Sequence, residues 1–383
     1  MKNKHIFSLV FIAITVFSVS AGASVENSTV PEPFQRFDDT SDRVIDYTDL
    51  NSLLDALVLN MGRSDRKKAS PQKSATGTRM KFSVNRATVN EGNRFYYEVF
   101  EDNEKNRQTL RRIRNRLEGI PFITPLEKYS RDEQLAYWLN LYNVTVLDEI
   151  VKIYPQRKLE DHLVGKDSIL AAKTLVVAGF PLSLNDIEFT ILKQNYNGNP
   201  LILYGLYQGI IGGPSIRKTA YTGKYVYGDL IENAMEFINS NRGTEGKSSK
   251  VFRVSSFYQR NSAFFSDFQQ DLREHLLTYL EGEELDELKT ARTLKADIND
   301  WTVTDLYGTN RDLAGSFGTN NAALAGAASG ENSSRLTSRA AAASRYSPAV
   351  MAHLQELKRK QEEERTGTVT IEEMGQADVE PDG

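Results

Sequence analysis

The sequence predicts an α+β fold: one mostly helical domain with a small β-sheet and a disordered C-terminal arm. Three observations lead there. Apolar residues recur at helical spacing in several separate segments, the longest of them around 135–146. Short β-branched or alternating stretches interrupt them at 174–182 and 252–257. After Tyr307 the composition turns to Ala, Gly, Ser and Asn, with too little apolar surface to offset the entropy of ordering.

The chain has 383 residues, enough for one large domain or two ordinary ones. Hydrophobic residues make up 40% and charged residues 26%, which fits a globular protein with polar tails. A formal net charge of -4 gives no general case for nucleic acid binding. The absence of cysteine excludes a disulfide, a thiolate metal site, a cysteine nucleophile and a lipoprotein-type anchor together.

The start reads as a secretory signal peptide over 1–23. Lys2 and Lys4 supply the positive region, 6–19 the short apolar region, and Ala21-Gly22-Ala23 the small-x-small cleavage pattern. The mature chain is therefore expected to be exported, periplasmic or secreted, with no transmembrane segment once the signal is removed. Residues 24–41 are polar and proline-bearing and read as a flexible leader.

The folded unit then divides into an N-terminal helical part, 42–124, and a second part, 125–307. Thr48 is a candidate N-cap for a short helix carrying Leu50, Leu53, Leu54, Leu57 and Val58. Residues 62–78 form a basic, solvated loop. Phe95, Tyr97 and Val99 alternate, as in a strand or an extended segment. A helix over 103–117 buries Leu110, Ile113 and Leu117, and Gly119-Ile120-Pro121 ends it. Its cations, Lys105, Arg107, Arg111, Arg112, Arg114 and Arg116, read first as a solvated face and second as an anion-binding one.

Ser130-Arg131-Asp132-Glu133 has the form of a capping box. The helix it opens buries Leu135, Trp138, Leu139, Tyr142 and Val146 and stops at Tyr154-Pro155. Asn140 and Asn143, three apart, share a side. They either brace neighbouring backbone or line a cleft, and bracing is the better expectation because most buried polar groups are satisfied ones. A hairpin follows, 174–177 and 180–182 turning at Ala178-Gly179. Ser183, three before Asp186, caps a helix with Ile187, Ile191 and Leu192 inward. The apolar run 201–211 is a buried strand or a helix start, and Gly212-Gly213-Pro214 breaks it. Helix 229–238, strand 252–257 and a helical stretch through Phe264, Phe268, Leu272, Leu276 and Leu280 come next. Residues 297–307, with Asp300-Trp301, close the unit. Beyond the linker 308–346, a helix over 348–365 is expected to float, and an acidic tail ends the chain.

Several of these motifs resemble one family. Ala136-Tyr137-Trp138-Leu139-Asn140-Leu141-Tyr142-Asn143-Val144 is similar to the Ala-Phe-Trp-Ile-Asn-Leu-Tyr-Asn-Ala signature of family 547 of the domains of unknown function, found in bacterial envelope proteins and in plants. Leu182-Ser183-Leu184-Asn185-Asp186-Ile187-Glu188 resembles its Ser-Leu-Asp-Asp-Ile-Glu-His. Residues 200–214 lie where the family has Pro-Arg-Ile-His-Phe-Ala-Leu-x-Cys-x and then Cys-Pro. Ala220-Tyr221-Thr222 and Asp300-Trp301 match as well, so the resemblance covers about 125–305. The departures fall on the reactive positions. The family's histidines are Phe189 and Leu203 here, its arginine is Leu201, and its two cysteines are Gln208 and Gly213. Histidine with cysteine would imply thiol chemistry or a metal site; Phe, Leu, Gln and Gly support neither.

The resemblance thus implies a non-catalytic binding or scaffold protein of the cell envelope, with an envelope protein or a small ligand as partner and no cofactor. The alternative is an enzyme, a hydrolase or transferase, with a non-standard site. In either case the candidate ligand-binding residues are Asn140, Asn143, Glu188, Tyr204 and Gln208. No catalytic or metal-binding residue is assigned. His162, His275 and His353 are not metal-spaced, and no nucleophile elbow or phosphate loop occurs. Asp132, Glu133 and Glu188 offer a carboxylate pair, but Asp132 and Glu133 already fit as helix-cap residues.

Overall fold

The computed structural model describes residues 29–69, 85–248 and 250–306, together with residues 353, 355–357 and 359–360. The expected signal peptide over 1–23, most of the basic loop and the linker 308–346 lie outside the described residues.

The architecture is α+β, mostly helical with small sheets of two or three strands. Helix α1 (Thr48–Leu57) leads into β1 (Val58–Leu59), which pairs antiparallel with β2 (Arg94–Phe95). Thr48 is the first helical residue, not the cap; its amide is held by the Asp46 carboxylate at 2.9 Å. The alternation at 95–99 yields only the short β2, because Tyr97–Phe100 turn into a 3₁₀ helix.

Helix α2 (Glu104–Ile123) runs through Gly119 and Pro121, where the sequence predicts its end. A proline inside a helix removes the amide that would bond the carbonyl four residues back. Here that carbonyl belongs to Leu117, and the Tyr137 hydroxyl donates to it at 3.1 Å. A residue twenty positions away therefore offsets the local cost.

Helix α3 (Arg131–Ile153) is the spine. Every residue from Glu133 to Val151 is buried, the mark of an internal helix rather than an amphipathic one. Ser130 caps it, its Oγ accepting from the Glu133 amide at 3.2 Å. The capping box is only half made. Glu133 turns outward from the helix instead, and its two oxygens accept from the Ile45 and Gly223 amides, each at 2.9 Å. The end at Ile153 is as the sequence predicts.

Residues 29–41 are not a loose leader. Phe34 is fully buried and meets Trp138 edge-on at 5.0 Å. Its carbonyl accepts from Asn195 at 2.7 Å, and the Arg36 carbonyl accepts from Gln134 at 2.9 Å. The leader therefore completes the core around α3.

After the short α4 (Glu160–Leu163), β3 (Leu175–Val177) and β4 (Phe180–Leu182) form the expected hairpin, with Ala178 and Gly179 at positive φ. Ser183 and Asp186 make a reciprocal cap: the Asp186 carboxylate accepts from the Ser183 amide at 2.8 Å, and Ser183 Oγ from the Asp186 amide at 3.1 Å. The helix it opens is π-helical over Asp186–Leu192 before α5 (Lys193–Asn195). The apolar run after Pro200 is neither strand nor α-helix; it begins as a 3₁₀ helix, Pro200–Gly205, and continues extended.

Helix α6 (Val226–Ile238) packs on that 3₁₀ segment. A three-stranded sheet follows. Its centre is β6 (Val251–Ser255), antiparallel to β5 (Thr244–Ser248) and parallel to β7 (Thr293–Ile298). Between β6 and β7 lie α7 (Ser256–Arg260), α8 (Phe268–Tyr279) and α9 (Gly282–Thr290). Residues 300–306 then lace the unit together. The Thr304 amide donates to the Gly209 carbonyl, the Phe95 amide to the Thr304 carbonyl, and the Leu159 amide to the Trp301 carbonyl, at 2.8–3.0 Å.

The described part of the C-terminal helix does not float. His353 is buried, and Lys360 Nζ approaches Asp55 of α1 at 3.3 Å. Among the described residues no helix is long and apolar enough to cross a membrane.

Gly243, in the turn between α6 and β5, has no room for a side chain. A Cβ there would lie 2.0 Å from the Phe237 carbonyl oxygen, and backbone cannot swing aside as a flexible side chain can. Gly243→Ala is expected to lower stability by about 3 kcal/mol, the upper range for overpacking, read by urea denaturation.

Candidate functional site

The two asparagines of α3 brace backbone. Asn140 donates to the Tyr221 carbonyl at 2.8 Å and accepts from the Tyr221 amide at 2.9 Å. Asn143 donates to the Gly205 carbonyl and accepts from the Tyr207 amide, both at 3.0 Å. Each amide acts as a strand would, satisfying a donor and an acceptor of a segment that has no strand partner. Both also line a cavity of about 10 Å³ between α1, α3 and the 216–221 segment, room for roughly one water.

Tyr204 belongs to a different cluster. Its hydroxyl lies 2.9 Å from His275 Nε2 and 3.1 Å from the Tyr258 hydroxyl, and its ring stacks on the imidazole. Burial pulls His275 down to about 4, so it is neutral near pH 7. His275 is thus a buried, satisfied residue.

Glu188 and Gln208 do come together, through a residue first read only as core. From α3, the Tyr142 hydroxyl donates to Glu188 Oε2 at 3.3 Å. Gln208 stands beside the same hydroxyl and acts to lower the Tyr142 pKa, against the dominant upward push of burial. Its Oε1 accepts from Arg260 Nη2 of α7 at 3.0 Å. Arg260 also donates to Ser256 Oγ at 2.9 Å and lies over the Trp301 ring, 4.5 Å from its centroid. The result is a chain from half-buried Arg260 through Gln208 and Tyr142 to Glu188, which is 1% exposed.

Glu188 Oε1, at the inner end, has no hydrogen-bond partner. Burial is the main reason its carboxyl is pushed up to about 7, against smaller opposing effects of the Tyr142 hydrogen bond and the Arg260 charge. A carboxyl poised there holds its proton near neutrality, the condition a general acid or a proton-bearing hydrogen-bond donor requires. It sits in the π-helical stretch, a distortion that is frequent at functional sites. No carboxylate pair forms with Glu133, whose oxygens are taken by backbone amides.

The positions where the resemblance implies histidine and cysteine can now be placed. Phe189 packs against Phe264, with ring centroids 6.2 Å apart. Leu203 is buried in the 3₁₀ helix. A Cβ at Gly213 would lie 3.8 Å from the Gln208 Cβ, the usual separation in a disulfide. Cysteines at these two positions would thus stand as a cross-link. In this chain Arg242, itself buried, fastens the same turn by donating to the Gly213 carbonyl and to Ser215 Oγ.

Most of the basic face of α2 is already engaged. Arg107 bonds the Phe100 carbonyl, Arg111 pairs with Glu104, and Arg116 with Asp46 and Asp49. Arg114 is buried against Glu118, Asp148 and Glu149. Among the described residues, no group of three His, Asp or Glu side chains is placed to hold a metal.

Residues 126–238 match the family model described as "Protein of unknown function, DUF547", so the chain carries a domain of that family. The match runs from the turn before α3 to the end of α6. It contains Tyr142, Glu188 and Gln208, whereas Arg260 and Trp301 lie beyond it. No curated protein and no solved structure matches the chain.

Sequence reasoning passed over Arg260. Its one signal is a cation in the aromatic-rich stretch 252–268, which also holds Arg253, and Trp301 was noticed only as part of a motif.

The raised Glu188 carboxyl makes stability depend on pH in a definite sense. Unfolded, the group ionises near its ordinary 4.5; folded, it keeps its proton to about 7. Its contribution is therefore complete below pH 4.5 and is lost as pH rises to about 7. Glu188→Gln is expected to remove this loss and to be more stable than wild type at pH 8 by about 3 kcal/mol, measured by denaturant titration across pH. In a second test, the Gln208→Cys/Gly213→Cys double variant should oxidise without reductant, leaving no thiol for labelling in mass spectrometry. Two labelled thiols would contradict the geometry.

Proposed function

We propose that this is an exported, non-catalytic binding or scaffold protein of the cell envelope. The supporting observation is the state of the family's reactive positions. They hold Phe189, Leu203, Gln208 and Gly213, and Gln208 is tied to Arg260 in a buried hydrogen-bonded chain. No base and nucleophile stand together there, as thiol chemistry would need. The signal-like start, Lys2 and Lys4 before an apolar stretch and Ala21-Gly22-Ala23, supports export. The polar frame around α3 serves to hold segments in place, which suits a rigid surface presented to a partner.

A second reading has one observation in its favour. Glu188 carries a carboxyl near neutrality with one oxygen unengaged. That would suit an enzyme, a hydrolase or transferase, using Glu188 with Asn140 and Gln208, provided the cluster opens to substrate.

The deciding experiment is capture from envelope extract with the intact mature chain and with one ending at Tyr307. The expected result is the same protein retained by both, and equally by a Glu188→Gln variant. Retention by the intact chain alone would move the binding role to the C-terminal arm. Capture of no protein, with a co-purifying small molecule that Glu188→Gln no longer holds, would favour the enzyme reading.

A further inference from the structure

We propose that Arg260 is a proton-controlled latch: it holds Gln208 and Trp301 while Glu188 is neutral, and turns inward to pair with Glu188 when that carboxyl loses its proton. The inference stands on geometry and is independent of whether the site binds a partner.

Four observations carry it. First, Glu188 and Arg260 act on each other electrostatically, yet the guanidinium is committed to Ser256, Gln208 and the Trp301 ring rather than to the carboxylate. Second, Glu188 Oε1 is buried and has no hydrogen-bond partner, so an acceptor there is unused. Third, Arg260 is half-buried at the outer end of the chain, on the short helix α7, and its long side chain has several rotatable bonds. Fourth, Gln208 spans the two states. Its carbonyl oxygen accepts from Arg260 and the same side chain reaches Tyr142, so its release frees both.

The direction follows from electrostatics. A protonated Glu188 carries no charge, and the neutral contacts of Arg260 suffice. A deprotonated Glu188 is an uncompensated buried charge, which is strongly unfavourable unless paired. Tyr142, from α3, and Arg260, from α7, are the ionisable groups that act on Glu188, and Tyr142 is itself held in its neutral form by burial. Arg260, although lowered to about 10 by burial, stays charged at neutral pH. It is therefore the cation available to pair. Burial sets the carboxyl to release its proton near pH 7, so the movement accompanies a rise in pH through neutrality. Leaving Gln208 and the indole unlatches the outer wall of the cluster.

Tryptophan fluorescence reads the step directly. The chain has two tryptophans. Trp138 is fully buried against Phe34 and Tyr137, while Trp301 carries Arg260 on its face. Titration of the full chain from pH 5 to 9 should give one transition near pH 7, absent in Trp301→Phe and in Glu188→Gln. Arg260→Gln should also lack it, while keeping the pH-dependent stability that Glu188 imposes. His162 in α4 is a neighbour to be separated, because the Leu159 amide bonds the Trp301 carbonyl. A transition that survives Glu188→Gln and disappears in His162→Asn would overturn the proposal, as would a flat wild-type titration. Near-UV circular dichroism checks that each variant is folded. Should Glu188→Gln fail that check, the exposed-side Arg260→Gln decides alone: a transition that persists in it refutes the latch.

Discussion

The structure depends on one constraint: a helix of twenty-three residues, α3, buried along almost its whole length. Apolar side chains alone would satisfy such a helix, but this one carries Glu133, Gln134, Tyr137, Asn140, Tyr142 and Asn143. Each buried polar group must find a partner inside the protein or cost stability. Most of them find it in the backbone of a distant segment. Glu133 receives the amides of Ile45 and Gly223. Gln134 donates to the Arg36, Leu126 and Tyr129 carbonyls. Asn140 and Asn143 hold Tyr221, Gly205 and Tyr207. The helix thus organises irregular chain as a central strand organises its neighbours, through side chains instead of a ladder.

Glu188 is the exception that gives the site its character. It is at least as buried as the asparagines, yet only one of its oxygens is engaged. The protein accommodates it by keeping the carboxyl neutral to about pH 7. Around it stand Phe189, Leu203, Gln208 and Gly213, and Arg242 and Arg260 add hydrogen bonds to Gly213 and Gln208. The frame of the domain is therefore kept by packing and by guanidinium contacts that need no thiol. Both arginines come from chain beyond residue 238, where the family match ends.

Much of the fold was legible wherever a signal is local. Helical spacing located α1, α3, α6 and α8. Ala178-Gly179 located a hairpin turn, and Ser183 with Asp186 a reciprocal cap. Failures came where a remote partner overrode a local rule. Pro121 should stop α2, but Tyr137 takes the carbonyl that proline leaves unpaired. Glu133 should complete a capping box, but two incoming amides compete for it. Residues 24–41 read as a flexible leader because they are polar and proline-bearing, whereas Phe34 packs edge-on against Trp138. Helix α9 and strand β7 were passed over as charged sequence, since β7 is held by parallel pairing to β6 rather than by its own pattern.

By itself, then, the sequence determined which stretches are helical, where the chain turns, and that the chain contains no cysteine. Those features depend on a residue and its neighbours within about one helical turn. The tertiary structure decided the rest. It separated Tyr204 from Glu188, turned Asn140 and Asn143 to the backbone, and joined Tyr142, Gln208 and Arg260 into one chain. The physical reason is that burial and hydrogen bonding are set by whatever chain arrives from elsewhere. Tyr142 meets a carboxylate 46 positions on and Gln208 a guanidinium 52 positions on, and no local spacing records either encounter.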